Sequence, residues 1–101
     1  MTQPPAFGLS PSVINSLRST ILKNKNIEKI IIYGSRAKGN FRPASDIDLT
    51  IVGSRLTTAD LLKIENEIDD LMLPYKVDLS LYHQIESPEL IEHISRCGLN
   101  F

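Results

Sequence analysis

Apolar residues recur at helical spacing in three stretches of this chain, and three short runs of strand character lie between them. Ser10-Pro11 supplies a capping hydroxyl and a first-turn proline, and Val13, Ile14, Leu17 and Ile21 follow on one face, predicting a helix to about Asn24. Ile30, Ile31, Ile32 and Tyr33 form a β-branched and aromatic run that ends at Gly34, a buried strand feeding a Gly-Ser turn. A second strand is predicted from Asp46 to Val52, stopped by Gly53. Thr58 is the expected cap of the next helix, with Leu61, Ile64, Ile68 and Leu71 on one face and Pro74 beyond its end. Lys76 to Tyr82 alternates, Val77, Leu79 and Leu81 against Asp78, Ser80 and Tyr82, as a third strand does. Ser87-Pro88-Glu89 then repeats the cap-plus-proline start, Leu90, Ile91, Ile94 and Cys97 make the stripe, and Gly98 is the stop. Helices alternating with three short strands predict a small two-layer α/β or α+β sandwich.

Composition narrows the function classes. A chain of 101 residues without an interior linker or a composition shift is expected to be one domain, residues 1–101, and 42% hydrophobic content is enough for a core. Eleven basic residues nearly balance 12 acidic ones, so no overall positive field exists to drive constitutive nucleic-acid binding. No apolar run approaches the roughly 20 residues that a membrane span needs, and Met1-Thr2-Gln3-Pro4-Pro5 lacks the basic and hydrophobic regions of a signal peptide. The expected location is cytoplasmic. Cys97 is the only cysteine, which excludes an intrachain disulfide and a thiolate zinc site and leaves it as a small core residue.

The chemistry is concentrated between Gly34 and Asp48. Side chains two apart on a strand share a face, so Asp46 and Asp48 project together while Ile47 and Leu49 point the other way. Two like charges side by side resist burial, whereas Mg²⁺ takes hard oxygen ligands, often one or two carboxylates plus substrate phosphates. Asp78, in Lys76-Val77-Asp78-Leu79-Ser80, completes a carboxylate cluster if its strand pairs beside the second. Gly34 allows close backbone approach, Ser35 donates a hydroxyl, and Ser35 to Lys38 can open a helical turn whose free N–H groups favour an anion. Arg36, Lys38 and Arg42 place three positive charges within seven residues, a counter-charge for a triphosphate. Each feature alone has a plainer explanation: an Asp-x-Asp is more often a turn or solvated edge, and isolated Arg and Lys are mostly solubilising loop charges. His83 and His93, one ending a strand and the other on a helix, make no convincing metal pair. Tyr33 and Tyr82 are expected to pack on strands, with Tyr82 on the face of Asp78, and Phe7, Leu9 and Phe101 either to pack locally or to meet a partner.

The combination is more specific than its parts. Gly34-Ser35, ten intervening residues, Asp46-Ile47-Asp48-Leu49 and a later Val77-Asp78-Leu79 resemble the signature of the DNA polymerase β-like nucleotidyltransferase superfamily. The Gly34-Ser35-Arg36-Ala37-Lys38-Gly39 form and short length are similar to its minimal nucleotidyltransferases, the MNT proteins, over about residues 10 to 98. Lys38 stands where Arg is common before the second glycine, keeping charge but losing the bidentate fork.

The resemblance implies a mixed sheet flanked by helices and transfer of a nucleoside monophosphate from an NTP, ATP by preference, to a hydroxyl. It implies that Asp46, Asp48 and Asp78 are catalytic and ligate Mg²⁺, two ions in all, and that Gly34 and Ser35 hold the triphosphate; Arg36, Lys38 and Arg42, read from their charge, are expected to complete the nucleotide-binding set. It further implies a HEPN-domain partner: many MNT proteins are antitoxins of HEPN RNase toxins and adenylylate a toxin tyrosine. A chain this short leaves little room for an acceptor-binding domain, so the partner is expected to bring the acceptor, in a homo- or hetero-oligomer. Two rivals stand beside this: a non-catalytic antitoxin that acts by occlusion, and nucleotidyl transfer to a small hydroxylated molecule such as an aminoglycoside.

Overall fold

The computed structural model describes residues 6–101; Met1 to Pro5, on which the reading of a leader-free N-terminus rests, lies outside the described residues. Capping chemistry starts all three long helices. Ser10 Oγ accepts from the Val13 N–H at 3.3 Å to open α1 (Pro11–Leu22), and Ser87 Oγ accepts from Leu90 at 3.3 Å to open α4 (Pro88–Cys97). The middle helix, α3 (Thr58–Asp69), is capped by Thr57 and not by the expected Thr58. Only from position 57 can the exchange with Asp60 close: Thr57 Oγ1 accepts from the Asp60 N–H at 3.2 Å, and Asp60 Oδ2 accepts from the Thr57 N–H at 2.9 Å. That bond from the Thr57 backbone, more than any other influence, holds the Asp60 carboxyl below its usual range.

The strands are β1 (Lys29–Tyr33), β2 (Ile47–Val52), β3 (Val77–Leu81) and β4 (Leu99–Asn100), with a four-residue helix, α2 (Ser35–Lys38), following β1. They form one sheet in the order β3-β2-β1-β4, in which β1 is antiparallel to β2 and β4 while β2 and β3 run parallel. The expected mixed α/β sheet is present, with β4 as an additional strand that pairs Leu99 with Ile32 just after the α4 stop. The predicted second strand begins one residue late, at Ile47, so Asp46 stands just outside the ladder. The third is also shorter than expected, and Tyr82 opens a 3-10 turn, Tyr82–Gln84, instead of extending the strand.

One face of the sheet is closed by α1 and α3. Ile30, Ile32, Ile47, Leu49 and Ile51 pack there in a buried cluster with Leu17, Ile21, Ile64 and Ile68, as the alternation in β2 and the helical stripes predict. Leu9 and Phe101 join that cluster, and Phe7 stacks on Phe101 with ring centroids 5.9 Å apart, so the terminal aromatics pack locally. Cys97 is only half-buried and lies outside the cluster. On the opposite face α4 lies along β1: a Cβ on Gly98 would press on Ile31, and His93 meets Tyr33 edge to face. The β2 and β3 portion of that face carries the polar side chains. Among the described residues, no helix is long and apolar enough to cross a membrane.

Candidate active site

Strand register builds the site. Tyr33 lies opposite Asp48, and Asp48 lies opposite Asp78, so three residues from three strands form a row on one face at one end of the sheet. The next row on that face is Ile31, Thr50 and Ser80. Thr50 is fully buried and donates its hydroxyl to the Ser80 carbonyl at 3.2 Å. The Ser80 hydroxyl is buried and makes no hydrogen bond of full geometry; the Tyr33 phenol lies close enough for it to favour the phenolate. Burial outweighs that influence, and with the charges of Asp48 and Asp78 it raises the Tyr33 pKa.

Asp48 is the electrostatic centre. Burial raises its pKa first, and the neighbouring charges of Asp78 and Asp46 and a carboxyl–carboxyl contact with Asp78 raise it further, while His93 opposes them. Neither described ion pair, Lys23–Glu67 or Glu92–Arg96, involves these aspartates. The third strand pairs beside the second, which is the condition for a carboxylate cluster, and Asp78 lies opposite Asp48 in an exposed position.

Backbone geometry joins these carboxylates to the Gly-Ser turn. Gly34 has φ 75° and ψ −156°, a conformation open to glycine, and a Cβ there would collide with the Asp48 carboxylate. The close-approach role predicted for Gly34 therefore has a specific neighbour. After it, α2 is a single turn closed by Gly39 at φ 88°, and helix geometry leaves the N–H groups of Ser35, Arg36 and Ala37 without intrahelical acceptors. The Gly34 N–H is not among the free donors, because it bonds His93 Nε2 at 3.1 Å. This contact spans 59 positions, and nothing local in the sequence points to it.

Of the three cations in the turn, Lys38 and Arg42 are exposed and available as counter-charge. Arg36 is not, which corrects its expected place among the nucleotide-binding residues. Its side chain is 2% exposed and its guanidinium donates to main-chain oxygens of Phe7 at 2.9 Å, Pro43 at 3.1 Å and Ser45 at 2.9 and 3.1 Å. Four of its five N–H donors are taken by main-chain carbonyls and the side chain is buried, so little of the fork is open to a phosphate.

Three carboxylates are a hard-oxygen donor set suited to Mg²⁺ and poorly suited to soft metals. Among the described residues no three carboxylate, histidine or cysteine side chains are already drawn together as a closed cage. An ion held by one or two carboxylates, with phosphate oxygens and water completing its shell, needs no such cage. Burial contributes most to raising the Asp48 pKa, and the neighbouring charges of Asp78 and Asp46 that add to it are a repulsion a cation would relieve, so the carboxylate set fits a divalent ion.

Comparison with known proteins agrees with this geometry. The family model for Polymerase beta, Nucleotidyltransferase matches residues 15–100. The fold is similar to a toxin–antitoxin crystal structure with AMP-PNP, at TM-score 0.70 and 19% identity over 85% of this chain and 69% of that one. It is similar, too, to the complex of a tri-AMPylated Shewanella oneidensis HEPN toxin with its MNT antitoxin, at TM-score 0.59 and 18% identity over 88% of this chain and 65% of that one. A variant of the toxin–antitoxin pair MntA-HpeT aligns at TM-score 0.70 and 20% identity over 87% of this chain and 70% of that one. No curated protein sequence matches this chain.

Proposed function

Because this chain belongs to the polymerase β nucleotidyltransferase family, we propose that it is a metal-dependent nucleotidyltransferase that transfers AMP from ATP to a tyrosine hydroxyl of a HEPN-class toxin and serves as that toxin's antitoxin. The observation that carries the reading is the contact between Gly34 and Asp48, which sets the Gly-Ser turn and the first N–H groups of α2 directly against a crowded carboxylate. The neighbouring folds support the choice of nucleotide and partner: one structure contains AMP-PNP, and another a HEPN toxin bearing AMP.

In this reading Ser35 and the first N–H groups of α2 bind the triphosphate, and Lys38 and Arg42 balance its charge from the exposed side. Asp46, Asp48 and Asp78 would hold Mg²⁺, which when bound would supply Lewis-acid activation of the acceptor hydroxyl and charge neutralisation for the departing pyrophosphate. Asp78, the most exposed of the row, faces the acceptor and receives its proton. The acceptor oxygen bonds to the α-phosphorus as the α–β bridging bond breaks and pyrophosphate leaves in line.

The test is the intact mass of a HEPN-class partner after incubation with this protein, ATP and Mg²⁺, beside an Asp46→Asn/Asp48→Asn double variant. One or more AMP increments, absent with the double variant, are the expected result. A stable complex without any increment rejects catalysis on that partner in favour of neutralisation by occlusion.

A further inference from the structure

Arg36 is buried at a cost that its surroundings must offset, since no described ion pair gives it a carboxylate. Carbonyl oxygens surround its fork, and two aromatic rings lie against its guanidinium, Phe41 at 5.2 Å and Tyr75 at 5.0 Å from the ring centroids. These partners come from separate parts of the chain: a turn at Ala6 to Leu9, the loop 40–46 and the segment before β3. The loop is itself a tight turn, with Ser45 N donating to the Arg42 carbonyl at 3.0 Å and Arg42 N to Ser45 Oγ at 2.8 Å.

Asp46 lies between two fixed points. On one side Arg36 grips the Ser45 carbonyl with both Nε and Nη2; on the other, Ile47 N donates to the Lys76 carbonyl at 2.9 Å. No ladder bond fixes Asp46 itself, because β2 begins after it. The N-terminal turn reaches the same hub. Phe7, at φ 58°, offers its carbonyl to Arg36, and Gly8, at φ 72°, lies so close to the Phe41 ring that a Cβ would overlap it.

We propose that Arg36 is a positioning residue for the metal-binding carboxylates, and that the Ala6 to Leu9 turn, acting through Phe41 and Arg36, sets where Asp46 stands. This rests on the nucleotidyl-transfer reading of the site. It replaces contact with phosphate by a mechanical role: Arg36 fixes Ser45, Ser45 delivers Asp46, and the N-terminal turn braces Arg36 from behind. Phe7, whose carbonyl Arg36 holds, adopts a positive φ that a non-glycine residue takes up at a cost.

The test uses the full chain and Mn²⁺, titrated by electron paramagnetic resonance with AMP-PNP present, alongside metal-free AMP-PNP binding in a chelator and thermal melting. Arg36→Lys and the remote Gly8→Ala are compared with the native protein, Gly8→Ala covering the case in which Arg36→Lys does not fold. Both are expected to weaken Mn²⁺ binding by about tenfold or more while metal-free nucleotide binding stays unchanged. A lowered melting temperature with native Mn²⁺ affinity overturns the proposal and leaves Arg36 purely structural. Loss of metal-free nucleotide binding in Arg36→Lys overturns it in favour of direct phosphate contact. Failure of the native protein to bind Mn²⁺ with nucleotide rejects the underlying nucleotidyl-transfer reading as well, which keeps the two failures distinguishable.

Discussion

The two faces of the sheet are made from alternate residues of the same strands, yet they are built to opposite ends. In β2, Ile47, Leu49 and Ile51 lie at 0% exposure against α1 and α3, whereas Asp48 turns to the other side and meets Asp78 and Tyr33. The first face gains from every apolar contact it closes. The second gathers like charges and a buried hydroxyl without a hydrogen bond of full geometry, each of which costs stability, at the place where the backbone turn comes closest. Folding energy is made on one side of a single strand and used on the other, the pattern expected where a site is assembled on a scaffold and not selected for stability.

This contrast is most severely tested by Leu49→Ala. The cavity should lower stability by about 3 kcal/mol in chemical denaturation, with activity falling only as the folded fraction falls. Next in size is Thr57→Ala, which opens the capping box of the helix that closes the apolar face and should cost about 1 kcal/mol, again with activity per folded molecule unchanged. The smallest change has the opposite sign. Asp48→Asn should abolish transfer and yet raise stability near neutral pH, by less than about 1 kcal/mol after solvent screening of a half-exposed group. Because the native Asp48 pKa is raised, its favourable contribution is complete below the ordinary carboxylate value and is lost as pH rises through the shifted one. Thermal melts from pH 4 to 7 should therefore show the variant's advantage shrinking on acidification; an Asp48→Asn protein less stable than native at pH 7 would break the contrast between the faces.

Much of this was legible from local pattern. The alternation of β2 assigned Asp48 and Leu49 to opposite faces, and the two Ser-Pro starts marked α1 and α4 at the observed residues. The pairing of β3 beside β2, which brings Asp78 to Asp48, followed from the resemblance more than from the residues. Arg36, Lys38 and Arg42 look alike in sequence, because charge count carries no information about which cation the backbone will enclose; only the carbonyls of Phe7, Pro43 and Ser45 separate them. The bond from Gly34 to His93 and the two-residue β4 were equally invisible, one because it joins distant segments and the other because two residues have no periodicity.

The contact between Gly34 and Asp48 also sets the order in which such a chain can decay. Any replacement of Gly34 has to be compatible with φ 75° and ψ −156° and must also displace a carboxylate, so two changes are needed at once. Asp48 can be exchanged for its amide in one step, with no backbone obstacle and with an expected gain in stability. Inactive descendants of this fold should accordingly lose the carboxylate while the Gly-Ser turn persists as a fossil, and a census of genomes that counts the turn alone will overstate how many of these proteins still transfer nucleotides.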